Sequence, residues 1–293
     1  MKVLIIQEAG RHQKNAIFRE CLCMERSLQR QGHEVIVWGL GHSGFENNAL
    51  VMLLDGVGVI LVLEQYTSEW IPDLSDLNIP VVYWSIDSHC NFESDKRFVK
   101  KSRANAVLCS CKPDIERFQK ETIARVEWFP NAYPSDLIKP DALIKTRDIG
   151  FCGSKGNPVR QKYLKNLQRD IGLSFVDGLL GFEMVNFIQR CRIHFNINLS
   201  HDINYRTFET MGAGTMLLTN ETPGLEELFK IEKHLITYTG YEDCVDKIKY
   251  YIQNQDELEK IAIAGYAHVR KNHTYDNRAE QFIAFCRKWY SLK

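Results

Sequence analysis

Residues 196–228 read NINLSHDINYRTFETMGAGTMLLTNETPGLEEL, and the fold turns on this stretch. A strand expected over Ile193–Ile197 ends near Leu199 in a polar loop. A short helix then carries Arg206 and Glu209 and stops at Gly212 and Gly214. The apolar run Thr215–Leu218 reads as a second strand, and Thr222-Pro-Gly is a turn that opens the next helix. Strand, helix, strand and helix in so short a span predict parallel strands joined by helices.

The pattern continues outward in both directions. Upstream, Ile149–Cys152 and Ser174–Val176 read as strands; downstream, Leu235–Tyr238 is another. After Tyr241 the chain turns helical, through Leu258, Ile261, Ala262, Gly265 and Val269, then Phe282, Phe285 and Trp289. The N-terminal half alternates in the same way. Strands are expected at Lys2–Ile6, Val35–Trp38, Val57–Leu63, Ile79–Trp84, Ala106–Cys109 and Val126–Phe129. A helix carries Ile17, Cys21, Met24 and Leu28 up to a Gly32 cap. Between the halves, residues 131–147 hold Pro134 and Pro140, show no period and read as a linker. The fold class is therefore α/β, with two Rossmann-like domains facing a cleft. The N-terminal domain spans residues 1–135 and the C-terminal one 146–272. Ligands on open parallel sheets sit outside the carboxyl ends of the strands, so function belongs to the strand-end loops.

Composition narrows the classes. The 293 residues are 44% hydrophobic and 25% charged, as in an ordinary globular protein. Lys plus Arg and Asp plus Glu are 37 each, so there is no global electrostatic case for nucleic acid or an anionic membrane. Val57–Leu63, the longest apolar run, falls far short of the roughly 20 residues that span a bilayer. The N-terminus enters a strand pattern without a signal-peptide h-region. The nine cysteines are scattered and read as reduced thiols of a cytoplasmic protein.

Three loops hold candidate chemistry. Glu8-Ala-Gly10-Arg11-His12 has one glycine where a dinucleotide fingerprint needs three, so Gly10 serves either a tight turn or a substrate contact. Gly153-Ser154-Lys155-Gly-Asn-Pro158 precedes a helix whose first turn carries Arg160. Small residues, unpaired helix N–H groups and two cations make this a phosphate site or a plain turn. Val81-Val-Tyr-Trp-Ser-Ile-Asp87-Ser-His89 delivers Asp87 and His89 to a strand end. Asp87 there is either a base for an acceptor hydroxyl or a helix cap beside a solvated His89. No third ligand at a suggestive spacing makes this pair a metal site. Arg206 and Glu209, three apart, share a helix face and can pair with each other.

The segments Arg206–Thr219, Thr222–Phe229 and Ile261–Arg278, with Trp128-Phe-Pro-Asn-Ala132 and Asp148–Ser154, resemble the nucleotide-sugar half of group 1 glycosyltransferases. The nearest likeness is to the spore-maturation CgeB-like proteins. The resemblance covers residues 128–280 and reaches the N-terminal half by architecture only. It implies the GT-B architecture, with a final helix at about 274–293 crossing back to the first domain, and sugar transfer from a nucleoside diphosphate such as UDP to a hydroxyl or similar nucleophile. It places Glu209 on the donor ribose. His201 stands where related retaining enzymes carry a second Glu, which leaves stereochemistry open. Gly10, Gly153, Ser154, Lys155, Arg160, His201, Tyr205 and Arg206 join Glu209 as donor-side candidates. Asp87 and His12 are the catalytic candidates. No metal or other cofactor is implied. The acceptor is a glycan, a protein or a metabolite, with modified DNA disfavoured by the neutral charge. A nucleotide-sugar epimerase, a phosphorylase and a non-catalytic binder are the alternatives on the same fold.

Overall fold

The computed structural model describes residues 1–290. The chain divides into two compact units, Met1–Asn131 with the segment from Tyr275 onward, and Ala132–Thr274. The first contains β1 (Lys2–Ile6), α1 (Glu20–Arg30), β2 (Glu34–Trp38), β3 (Val57–Leu63), β4 (Val81–Ser85), α2 (Ser88–Lys101), β5 (Ala106–Cys109), α3 (Asp114–Glu121) and β6 (Arg125–Trp128). The second contains β7 (Arg147–Cys152), α4 (Pro158–Ile171), β8 (Ser174–Val176), α5 (Gly181–Gln189), β9 (Cys191–Phe195), α6 (Tyr205–Gly212), β10 (Met216–Asn220), α7 (Leu225–Leu228), β11 (Ile236–Tyr238), α8 (Tyr241–Gln253) and α9 (Gln255–Asn272). The last helix, α10 (Tyr275–Tyr290), belongs to the first unit; residues 291–293 of the expected final helix lie outside the described residues.

Both sheets are parallel. Their orders are β2-β1-β3-β4-β5-β6 and β11-β10-β9-β7-β8. Helices cover both faces of such sheets, so the central strands bury nearly every side chain. Val3, Leu4, Ile5 and Ile6 of β1 and Val59 to Leu63 of β3 are completely buried. One core gathers Leu4, Ile60, Tyr83, Phe92 and Phe118; the other gathers Phe151, Leu167, Phe195, Leu218, Ile248 and Ile261.

Several boundaries moved from their expected places, each for a local reason. β4 begins at Val81 rather than Ile79, because Pro80 has no N–H to give the ladder. β9 stops at Phe195, since Asn196 and Asn198 divert the chain into side-chain hydrogen bonds. α1 starts at Glu20, and Ile17 lies in a preceding 3₁₀ turn, Gln13–Phe18, 42% exposed. The helix start is set from outside: the Gln7 side chain, just past β1, accepts the Cys21 N–H at 3.0 Å. On α10, Phe282 and Phe285 are buried as expected, but Trp289 is 40% exposed and instead carries the Arg125 guanidinium 3.3 Å above its ring. Buried Arg278 anchors this helix, donating to the carbonyls of Pro130 at 2.6 Å and Asn131 at 3.1 Å.

Residues 132–146 join the second unit, where Tyr133 is fully buried. Gly212 is needed beside it: a Cβ there would stand 2.5 Å from the Tyr133 ring. Among the described residues no helix is long and apolar enough to cross a membrane.

Candidate active site

In the second unit the chain runs from β7 to β8 on one side and then to β9 on the other. The carboxyl ends of β7 and β9 therefore flank the topological switch point, where an open sheet binds ligands. The loop after β7 supplies Gly153, Ser154, Lys155 and, from the first turn of α4, Arg160. The loop after β9 leads through His201 into α6, which carries Tyr205, Arg206 and Glu209.

The two loops are held differently. Asn157 caps α4, accepting the N–H groups of Val159 at 2.8 Å and Arg160 at 3.3 Å, and Ser154 Oγ accepts that of Gly156 at 3.2 Å. The expectation of unpaired helix N–H groups for phosphate is corrected here, because the loop's own side chains already hold them. Positive charge is what the site offers. Arg160 is half-buried and pinned by the carbonyls of Ser154 at 2.9 Å and Ile197 at 3.3 Å, while its Nε has no partner. Burial first, and then the Arg206 charge, lower its pKa. Arg206 Nη1 meets Glu209 Oε2 at 2.7 Å and touches the Met184 sulfur; both members of the pair are largely buried. The helical pairing anticipated from their spacing thus forms. Lys155 is exposed and lies 4.7 Å over the Phe175 ring, away from that pair's bonding. His201 and Tyr205 are half-buried in the loop and at the head of α6.

Sequence reasoning missed the frame of this site. Asn198 Nδ2 donates to Thr219 at 3.3 Å and Thr222 at 3.0 Å, its Oδ1 accepts from Asn196 at 3.0 Å, and its backbone N–H reaches Asn220 at 2.6 Å. The repeated Asn-x-Asn at the end of β9 was the available signal, since amides that both donate and accept suit a buried network. Under it, buried His194 bonds Thr210 at 2.9 Å and Cys152 at 3.5 Å and stays neutral, its pKa driven far down by burial and then by Arg206. A hollow of about 550 Å³ opens beside the network between Tyr163, Asn198, Asn220 and Tyr238.

In the first unit, β1 lies between β2 and β3, so the switch point is at the ends of β1 and β3. Gly10 adopts φ +87°, which accounts for a glycine in the turn after β1. His12 is exposed, as is Arg11, which stacks 4.0 Å over Tyr66. Asp87 occupies the N-cap position of α2, but its side chain makes no capping bond, so the helix-cap reading is corrected. Glu64, at the end of β3 and unnoticed in the sequence, holds the turn just before α2 instead. Its Oε2 accepts the N–H groups of Ile86 and Asp87, both at 2.6 Å, and its Oε1 accepts the Asn91 amide at 2.6 Å. His89 is half-buried against Cys111 Sγ at 3.8 Å, not solvated.

The corner is rich in carboxyls. Burial and then Asp87 raise the Glu64 pKa. Burial, Glu20 and Asp95 raise that of Asp87 to about 6, although water still reaches the Asp87 side chain. Asp95, on the buried face of α2, accepts from Tyr83 at 2.9 Å and Ser85 at 2.5 Å, and burial followed by Glu64 raises its pKa strongly. Glu8 is 94% buried, held by Arg19 at 2.5 Å and Tyr66 N–H at 3.3 Å, and also raised by burial.

Residues 146–284 match the family model described as glycosyl transferase-like. No curated protein matches the sequence. Among solved structures, sucrose-phosphate synthase from Thermosynechococcus elongatus is similar over 99% of both chains, with a TM-score of 0.67 at 10% identity. An alpha-glucosyltransferase in complex with UDP and DNA containing a HMU base is similar over 97% of this chain and 98% of its own, with a TM-score of 0.69 at 10% identity. Anabaena HepE in complex with UDP covers 98% of this chain and 100% of its own, with a TM-score of 0.66 at 14% identity. At such identities the likeness establishes the fold, two parallel Rossmann-like domains of the glycosyltransferase GT-B type.

Proposed function

We propose that this chain is a glycosyltransferase that moves a sugar from a nucleoside diphosphate to an acceptor hydroxyl or similar nucleophile. One observation carries the reading: at the β7/β9 switch point Arg206, paired with Glu209, lies near enough for its charge to lower the Arg160 pKa, inside the residues that match the glycosyl transferase-like model. A desolvated guanidinium without a carboxylate of its own, next to a second guanidinium, suits a diphosphate, whose charge grows as the sugar leaves. Glu209 holds the ribose hydroxyls; an ionised carboxylate has about four acceptor positions, so pairing with Arg206 leaves capacity for them. Gly153 and Ser154 line the diphosphate, His201 and Tyr205 face the sugar, and Lys155 adds charge from outside. In the first unit Asp87 takes the acceptor's proton, with His12 as the second candidate.

The finer reading is a hexosyl transfer from a UDP-sugar by a cytoplasmic protein of the CgeB-like subgroup. UDP in the HepE and alpha-glucosyltransferase structures supports that nucleotide. The first unit takes the acceptor and the second the donor, and no metal takes part. A thermal-shift screen against UDP, GDP, dTDP, CMP and their sugars tests the reading, because a ligand that binds only the folded state raises its stability with concentration. Selective stabilisation by one nucleotide and its sugar is expected. No stabilisation by any of them overturns it.

A further inference from the structure

We infer that His194 is a positioning residue of the donor site: its buried imidazole ties α6, which carries Arg206 and Glu209, to the last residue of β7, where the loop through Gly153 and Ser154 begins. The inference rests on the reading of Arg206 and Glu209 as donor residues. His194 lies on β9, where Ile193, Phe195 and the facing Leu217 of β10 are buried, and it is itself completely buried. An apolar side chain would fill such a place without taking polar atoms out of water. The imidazole instead uses both nitrogens: Nδ1 meets Thr210 Oγ1 at 2.9 Å, and Nε2 meets Cys152 Sγ at 3.5 Å.

These two contacts reach the two elements that frame the site. Thr210 follows Glu209 directly and stands one turn after Arg206 on α6. Cys152 ends β7. Buried Phe208 and Met211 hold α6 by packing, which is non-directional; a hydrogen bond adds direction. A rigid ring with a fixed angle between its nitrogens therefore sets how α6 stands against the end of β7. With it the ring sets the reach of Arg206 and Glu209 toward a ligand held on the Gly153–Ser154 loop.

A double-variant cycle with UDP separates positioning from loss of stability, because changes that act through one another do not add. Thr210→Val keeps the side-chain shape and removes the hydroxyl. In calorimetry it is expected to weaken UDP binding about fivefold in the otherwise unaltered protein and less than about twofold in the Arg206→Ala background, while Thr210→Ser stays within about twofold of the unaltered protein. The NMR resonance of Arg206 Nε–H, assigned with Arg206→Lys, is expected to move in Thr210→Val and to return in Thr210→Ser with no nucleotide present. If Thr210→Val does not fold, His194→Gln replaces it, since its amide reaches toward Cys152 but not Thr210. Loss of folding in both variants would make His194 part of the core alone and overturn the proposal. An unmoved Arg206 resonance, unchanged affinity in a protein that binds UDP, or equal losses in both backgrounds would each overturn it too. Resonance changes as expected, with no binding of UDP, GDP, dTDP or CMP to the unaltered protein, would keep His194 as the residue that positions α6 and remove the donor reading.

Discussion

At the carboxyl ends of β1, β3 and β4 the first unit gathers Glu8, Glu64 and Asp87, with Glu20 and Asp95 close behind and Arg19 as their counter-charge. At the ends of β7 and β9 the second unit gathers Arg160 and Arg206, with Glu209 as theirs. Both sets stand at a topological switch point of a parallel sheet. Their chemistry is opposite: crowded carboxyls whose pKa values rise suit taking a proton, and crowded guanidiniums suit holding an anion. The strand order fixes where a ligand binds, and charge decides what that place can do.

The largest expected effect tests the acid side. Asp87→Asn should cut turnover by roughly 10² or more while nucleoside diphosphate affinity stays within about twofold, measured by steady-state kinetics and calorimetry. Full activity would end the contrast between the halves and move the search to His12.

The basic side comes next. Arg206→Ala should weaken nucleoside diphosphate binding about tenfold or more, and uncharged nucleoside far less, since a charge-assisted bond is worth about 1.5 to 3 kcal/mol. Arg160→Ala should follow the same pattern, and exposed Lys155→Ala should lose least. Equal losses for nucleoside and diphosphate would show that these cations shape the pocket rather than bind the anion.

Glu209→Gln should weaken nucleoside diphosphate binding several-fold in calorimetry, because an amide accepts ribose hydroxyls less well and also releases Arg206. Unchanged affinity in the folded variant would remove Glu209 from the site.

The smallest effect is on stability. Asp95 is buried and its folded-state pKa is raised, so the native protein holds that proton where the unfolded chain has lost it. This contribution is fully present below the ordinary aspartate value, about 4, and is lost as pH rises toward the raised one. Asp95→Asn should therefore flatten the fall in Tm from pH 5 to pH 8. An equally steep fall in the variant would place the pH dependence elsewhere in the carboxyl cluster.

Periodicity and punctuation were enough to read the eleven strands among the described residues, because buried parallel strands such as Val57–Leu63 and helices such as the one through Leu258, Ile261 and Val269 carry their pattern locally. The Arg206–Glu209 pair was legible too, since residues three apart on a helix must meet. Glu64, Gln7 and the Asn196–Asn198–Thr219–Thr222 network were not. Glu64 acts on partners 22 to 27 residues on, Asn198 on Thr219 and Thr222, 21 and 24 residues on, and Gln7 on the head of a helix 14 residues on; Asn-x-Asn signals a network, but local spacing does not name its distant partners. Asp87 shows the limit most plainly: the sequence alone placed it at a strand end before a helix. Only the fold, by bringing β3 beside β4, decided that the Glu64 carboxyl would hold the turn before that helix and that Asp87 would stand in a field of like charges.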